Sequence, residues 1–109
     1  MFKSFLLGIA ITISLLSINA QAQSQSQKQA ACERLAGTAY SVMGARQRGA
    51  RKEEMLNVAS NQSDPQMGNF MWNMVNSAFE KPLHARPSNQ EMEAKQFQQE
   101  YFNLCMRAM

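Results

Sequence analysis

Residues 32–49, CERLAGTAYSVMGARQRG, decide the fold predicted for this chain. At about 100° per residue, the apolar side chains of this stretch fall on one arc of a helix. They are Cys32, Leu35, Ala36, Ala39, Tyr40, Val42 and Met43. Arg46 and Arg48 fall in the last turn, where cations complement the helix dipole, and Gly49 is a typical residue at a helix end. The stretch therefore predicts an amphipathic helix over residues 28–48.

Further helices are predicted on the C-terminal side of this one. A short helix is expected over residues 51–60. The next begins after Asp64, a good N-cap that precedes a proline at the first helical position, and it ends near Glu80. The last is predicted to begin at Ser88, because Ser88 and Glu91 match the Ser-x-x-Glu capping box.

These segments predict an all-α fold. Strand signals are weak after the first residues, because no run alternates cleanly between apolar and polar side chains. Short loops between amphipathic helices favour antiparallel neighbours. We therefore predict a small antiparallel bundle of three to four helices.

The cysteines predict how the bundle is held together. Cys32 and Cys105 are the two cysteines of the chain, and an antiparallel arrangement brings both to the same end. In an exported protein such a pair predicts a disulfide, worth roughly 4–5 kcal/mol for a loop this long. A redox or metal-binding thiol pair is the alternative, but there is no Cys-x-x-Cys spacing and no histidine close by in sequence.

The N-terminus, MFKSFLLGIAITISLLSINAQAQSQ, predicts export. Lys3 precedes an apolar run over residues 5–18, and Ala20-Gln21-Ala22 matches the small-x-small site of signal peptidase. The run is shorter than the roughly 20 residues that span a bilayer. We predict a periplasmic or secreted protein, cleaved after Ala22, with no membrane span after cleavage. The predicted segments are a signal peptide over 1–22, a flexible Gln/Ser-rich leader over 23–29 and a helical domain over 30–109.

Composition and motifs narrow the function classes. Eleven Lys and Arg against eight Asp and Glu give a net charge of +3, too small and too mixed to predict nucleic-acid binding. His84 is the single histidine and is expected to be exposed in a loop without a role. No hydrolase triad, zinc site or phosphate-binding loop is present in the sequence. We therefore expect a protein that is not an enzyme and uses no cofactor.

The stretch MGNFMWNM, residues 67–74, concentrates methionines at helical spacing. Met67, Met71 and Met74 point the same way, and soft thioethers favour Cu(I). The helical wheel favours another interpretation, because it puts Met71 at the centre of the apolar arc with the other two close beside it. Methionine commonly fills gaps in a core. We expect these three side chains to be buried, with copper binding as the weaker alternative.

Three aromatic residues are candidates for contact with a partner. Trp72 lies at the edge of the apolar arc of its helix, next to Phe79 and to a line of asparagines, and Phe102 lies at a similar edge of the last helix. Aromatic residues are favoured interface anchors, so Trp72, Phe79 and Phe102 could meet a protein partner or a second copy. The alternative is that neighbouring helices cover them.

Four cations between the first two helices form a candidate anion patch. They are Arg46, Arg48, Arg51 and Lys52. Such a cluster could bind a phosphate or an acidic peptide, although charges that complement the helix ends explain it equally well. Arg46 lies inside the apolar arc, so we expect it to pair with a carboxylate or a carbonyl group.

Residues 32–49 resemble the opening of small exported proteobacterial proteins of unknown function. The resemblance lies in Cys-x-x-Leu-Ala, a later Met, Arg-Gln-x-Gly and a second cysteine near the C-terminus, and it implies no activity. In format the chain is also similar to small periplasmic acid-stress chaperones, which are helical and contain one disulfide. Their sequence motifs differ, and the cysteines are farther apart here.

The function predicted from these features is that of a small exported helical binding or interaction protein. A chaperone-like stress protein that opens at low pH is the alternative, because protonation of its carboxylates would leave a strongly positive chain. A methionine-based copper-handling protein is the third candidate.

Overall fold

The computed structural model describes the backbone of residues 2–108 and the side chains of residues 24–108. This part of the chain forms helices and no strand, which confirms the all-α prediction. The helices are α1 (Phe2–Gln47), α2 (Lys52–Ser60), α3 (Pro65–Glu80) and α4 (Pro87–Ala108). The chain divides into two compact units, Met1–Ala31 and Cys32–Met109.

The first unit contains the predicted signal peptide and leader. The side chains of residues 1–22 lie outside the described residues, so the signal peptide stays a prediction. α1 also includes residues 24–29. Glutamine has a favourable helix propensity, so this segment can be helical although it has no apolar face. Among the described residues, no helix is both long enough and apolar enough to cross a membrane.

The second unit is a helical bundle with a small core. α1, α3 and α4 share the core, and α2 packs partly buried Met55 and Leu56 against it. The buried cluster comprises Ala39, Val42, Met43, Met74, Val75, Ala78, Ala94 and Phe97. Full burial of a side chain such as Met74 or Phe97 contributes about 1.5–3 kcal/mol, so each of the large ones matters in a unit of this size.

The ends of α1 and α3 follow the sequence signals. The Asp64 carboxylate accepts a hydrogen bond from the Gln66 backbone N–H at 3.0 Å, with Pro65 at the first helical position. Gly49 follows α1 with a φ of +96°, a left-handed conformation that glycine adopts readily. Both predicted signals are confirmed.

The predicted capping box at the start of α4 is wrong. The helix begins at Pro87, and the backbone N–H groups of Asn89 and Gln90 donate to the Arg86 carbonyl oxygen at 3.1 and 3.0 Å. Proline is favoured at a first helical position, because it has no N–H to leave unpaired. Glu91, the expected capping residue, instead accepts a hydrogen bond from Tyr40.

Three links join α1 and α4 in antiparallel order. The predicted Cys32–Cys105 disulfide is confirmed, with a Cα–Cα distance of 5.5 Å. Farther along α1, Tyr40 bonds to Glu91. At the C-terminal end of α1, Gln47 bonds to the segment that leads into α4.

Candidate functional site

The loop between α3 and α4, residues 81–86, is held by two consecutive side chains at the end of α1. The Arg46 guanidinium donates to the Lys81 carbonyl oxygen at 3.3 Å. The Gln47 amide donates to the Pro82 carbonyl oxygen at 2.9 Å, and its own oxygen accepts from the His84 backbone N–H at 2.9 Å. We call this segment the α3–α4 loop.

Gln47 makes these bonds from inside the protein. It is 4% exposed and is the one buried polar residue in the part whose side chains are described. A buried amide that loses its partners costs about 1–3 kcal/mol, so the two bonds to the loop stabilise both partners. Gln47 follows Met43 by four residues and so lies on the apolar arc of α1. That placement is the sequence signal that could have identified it.

His84 is anchored from α4 as well. The Gln90 amide donates to the His84 carbonyl oxygen at 2.7 Å, and the imidazole Nε2 lies 3.5 Å from a Glu93 carboxylate oxygen. The expectation of an exposed histidine is wrong, since these neighbours leave it only partly exposed. Leu83, between the two backbone groups that Gln47 binds, is 56% exposed. The loop therefore presents Leu83 outward from a fixed backbone.

Arg46 packs inward rather than contributing to a patch of cations. Its guanidinium lies 4.7 Å from the centroid of the Phe79 ring, and its Nε is buried without a hydrogen-bond partner. The expected pairing with a carbonyl group is confirmed at Lys81. Of the other candidate cations, Arg51 is exposed and lies 3.9 Å from Glu54, a pair that contributes little at the surface. Lys52 is partly exposed.

A cleft of about 240 Å³ lies between α1 and the first turns of α4. We call it the α1–α4 cleft. Tyr40, Gly44 and Arg48 line it from α1, and Gln90 and Glu91 line it from α4. The Tyr40 hydroxyl donates to the Glu91 carboxylate, at 2.6 and 2.7 Å from its two oxygens.

Glu91 keeps the Tyr40 hydroxyl protonated. The hydrogen bond from the phenol to this carboxylate raises the pKa of Tyr40 above its usual value of 10.0, and loss of solvent and the negative charge of Glu91 act in the same direction. Arg48 acts in the opposite direction and lowers the pKa of Tyr40. The cleft thus contains a neutral phenol beside a carboxylate and a guanidinium.

Gly44 leaves room for Arg48 in this cleft. A Cβ atom at position 44 would lie 3.1 Å from Nη1 of Arg48, so the guanidinium rests against the helix where a side chain is missing. Arg48 makes no side-chain hydrogen bond or ion pair within the described residues. Its donors are therefore open to the solvent or to a ligand in the cleft.

The methionines of α3 differ in burial. Met74 is fully buried, as expected, Met71 is partly buried, and Met67 is 39% exposed. The expected burial of Met67 is wrong, because the core residues of α3 lie farther along the helix and its first turn extends beyond them. In the part of the chain whose side chains are described, no group of three or more His, Cys, Asp or Glu residues could hold a metal ion.

The aromatic candidates have different surroundings. Trp72 is 43% exposed on α3, whereas Phe79 packs against the core beneath Arg46. Phe102, on α4, is partly buried and lines a shallow depression together with Glu33 and Ala36 of α1. Of these three aromatic side chains, Trp72 is exposed and the other two are partly buried.

Comparisons with known proteins do not identify the chain. No family model, curated protein or solved structure matches it. A function is therefore inferred from the contacts, burial and charges of its own residues.

Proposed function

We propose that residues 23–109 form a small exported binding protein, which acts by contacting another macromolecule and not by catalysis. The Cys32–Cys105 disulfide supports export, because disulfides form and persist mainly in oxidising compartments outside the cytoplasm. The α1–α4 cleft is small at about 240 Å³, below the range of about 300–1,000 Å³ usual for small-molecule sites. A depression of about 440 Å³ lies along α4 between Ser88 and Gln99, but it is widely open to solvent. A contact surface therefore fits this fold better than an enclosed site.

Trp72 is the observation that carries the proposal. Nearly half of its side chain, 43%, is exposed, although tryptophan buries about 150–250 Å² when it is covered. It sits on α3, which Met74, Val75 and Ala78 hold in the core, so the backbone that carries it is fixed. Tryptophan on a rigid element with polar neighbours is a frequent anchor in protein interfaces.

Affinity capture with a matched pair of variants tests this function. Immobilised full-length protein, Trp72→Ala and Met92→Ala are each exposed to an extracytoplasmic extract. Met92 is a suitable control because it is also a large exposed apolar residue, on a different helix. We expect a partner that the parent protein and Met92→Ala retain and Trp72→Ala loses. The absence of any Trp72-dependent partner would contradict the proposal.

A chaperone that opens at low pH is a second candidate, and one contact favours it. The Tyr40 hydroxyl donates to the Glu91 carboxylate between α1 and α4, and a hydrogen bond to a charged acceptor is stronger than one to a neutral acceptor. The disulfide at one end of this helix pair is unaffected by acid, which would limit opening to the part of the bundle beyond it. Acid titration followed by light scattering and tryptophan fluorescence tests this function. A compact, unchanged monomer at pH 2 would contradict it.

A further inference from the structure

We propose that the α3–α4 loop is a docking element for a protein partner that offers an apolar pocket to Leu83 and carboxylates to the neighbouring arginines. The inference rests on the proposed binding function, but it uses a segment different from Trp72. It also names the chemistry of the partner: an apolar pocket that receives the residue 83 side chain, with Asp or Glu side chains at its rim.

The first argument is the way the backbone around Leu83 is fixed. Gln47 binds the carbonyl oxygen of Pro82 and the N–H of His84, the residues directly before and after Leu83. A single exposed leucine is ordinary on a protein surface. Here, however, a buried glutamine holds both flanking peptide groups, so Leu83 is exposed on a backbone that is fixed on either side of it.

The loop is also ordered before any partner arrives. Arg46 donates a hydrogen bond to the carbonyl oxygen of Lys81, the first residue of the loop, and Gln90 donates one to the carbonyl oxygen of His84. Pro82 restricts the backbone torsion directly before Leu83. Association normally loses free energy through the ordering of loops and side chains, and a preorganised loop reduces that loss. The loop is thus suited to bind a shaped pocket without rearrangement.

The charges beside Leu83 define the rim of the pocket. The loop contains Lys81, His84 and Arg86 and no acidic residue. Lys81 and His84 face Glu100 and Glu93 of α4 at 3.6 and 3.5 Å. Arg86 has no ion pair within the described residues.

Arg48 supplies a second available guanidinium beside the loop. It lines the α1–α4 cleft, and Gln47 and Gln90, which bind the loop, line the same cleft. Glu91 also lines the cleft, but its carboxylate already accepts the Tyr40 hydroxyl hydrogen bond. Arg48 is therefore the group there that a partner carboxylate would bind while an apolar pocket covers Leu83. Guanidinium groups bind carboxylates through paired hydrogen bonds, so acidic side chains complement this surface.

A protein fits these features better than a membrane surface. Lipid headgroups and acyl chains adapt to many arrangements of cations and apolar side chains, and they gain little from a fixed backbone. The hydrogen bonds from Arg46, Gln47 and Gln90 favour instead a partner with a pocket of defined shape.

Site-specific photocrosslinking in the living cell tests the proposal on the full chain. A benzophenone amino acid replaces Leu83, and a second version carries it at the exposed control position 92. We expect a protein adduct from position 83 and none of the same mass from position 92. The double variant Arg48→Gln, Arg86→Gln should reduce the yield of the adduct at least about fivefold. Arg51 is an exposed cation at the N-cap of α2, and Arg51→Gln should leave the yield unchanged.

A second reaction tests the carboxylates directly. In the Arg86→Lys variant, a carbodiimide activates a nearby carboxylic acid as an O-acylisourea. The introduced amine attacks the acyl carbon to form an amide, and the carbodiimide leaves as a urea that carries the carboxyl oxygen. Mass spectrometry of the adduct should find this amide at an Asp or Glu of the same partner that position 83 labels. An adduct whose yield does not fall when both arginines are replaced, or a labelled partner that forms no amide with the introduced lysine, overturns the proposal.

The remaining outcomes separate this proposal from the proposed function. A Trp72-dependent partner without any adduct from position 83 overturns the docking loop and leaves the binding function intact. If neither a Trp72-dependent partner nor an adduct from position 83 is found, the binding function and the docking loop are both overturned. Leu83-dependent sedimentation with phosphatidylglycerol and phosphatidylethanolamine vesicles, without a protein adduct, would assign the loop to a membrane surface and overturn the proposal.

Discussion

The Tyr40 hydroxyl donates to the Glu91 carboxylate at 2.6 Å, across 51 positions of the sequence. This link lies between the Cys32–Cys105 disulfide and the bonds of Gln47 to the loop before α4. α1 and α4 are therefore tied covalently at one end, by a charge-assisted hydrogen bond in the middle, and by a buried amide at the other end. Each tie has a different sensitivity to solution conditions, and each can be tested separately.

The Tyr40–Glu91 link predicts a loss of stability at alkaline pH. The pKa of Tyr40 is raised in the folded protein. The hydrogen bond to Glu91 therefore stabilises the folded state fully below the unfolded pKa of about 10, and this stabilisation is lost as the pH rises through the folded pKa. Tyr40→Phe should lower the melting temperature at neutral pH and show a smaller decline above pH 10. Thermal melts from pH 7 to 12 measure both effects. Tyr101→Phe is the control, and an identical alkaline decline in the parent protein and Tyr40→Phe would contradict the assignment.

Gln47→Ala should destabilise the bundle by about 1–3 kcal/mol, because it leaves the Pro82 carbonyl and the His84 N–H without their partner. Urea unfolding gives the change in free energy. Gln99→Ala is the matched control, since Gln99 is exposed and bonds only to Asn103 on its own helix. Amide hydrogen exchange at His84 should accelerate in Gln47→Ala alone. Equal stability of the two variants would show that the loop does not depend on Gln47.

Replacing glycine with alanine should lower the stability of the folded protein at one position and raise it at another. At Gly68 a Cβ atom would lie 3.0 Å from the Ala59 carbonyl oxygen, where α2 packs on α3, so Gly68→Ala should cost about 1–3 kcal/mol through strain. At Gly37 nothing lies within 4 Å, so Gly37→Ala should stabilise α1 by about 0.5–1 kcal/mol. Chemical denaturation of both variants measures the difference. A stabilising Gly68→Ala would contradict the close packing of α2 on α3.

The disulfide should supply a large share of the stability. The Cys32→Ser, Cys105→Ser double variant is expected to lose about 2–5 kcal/mol, because the unfolded chain regains the freedom that the crosslink between these residues removes. Denaturation of the parent protein with and without a reductant provides an independent measurement. Since Cys32 is fully buried, part of the loss will come from packing, and Cys32→Ala, Cys105→Ala separates that part. Unchanged stability on reduction would contradict the prediction.

Local sequence signals were sufficient for the helices of residues 32–108 and for their crosslink, but the helix predicted to begin at residue 28 extends back to Phe2. Asp64 caps α3, and Gly49 follows α1 in a left-handed conformation, because these effects depend on a few neighbouring residues and the backbone alone. The cysteine pairing was predicted from export and from the even pair of cysteines, and the antiparallel order of the helices agreed with it. The apolar arc of α1 correctly indicated Ala39, Val42 and Met43 as core residues.

Only the tertiary structure decided which polar groups meet and which apolar side chains stay exposed. Glu91 fits a local capping box, yet its carboxylate binds Tyr40 from α1. Met67 lies on the apolar arc of α3, but the core does not reach it. Gln47 lies on the apolar arc of α1, and its hydrogen bond to His84 makes its burial favourable. Helix formation depends on near neighbours, whereas the burial of a polar group depends on partners distant in sequence. The helices and the disulfide thus followed from the sequence, and the anchored loop that displays Leu83 emerged from packing.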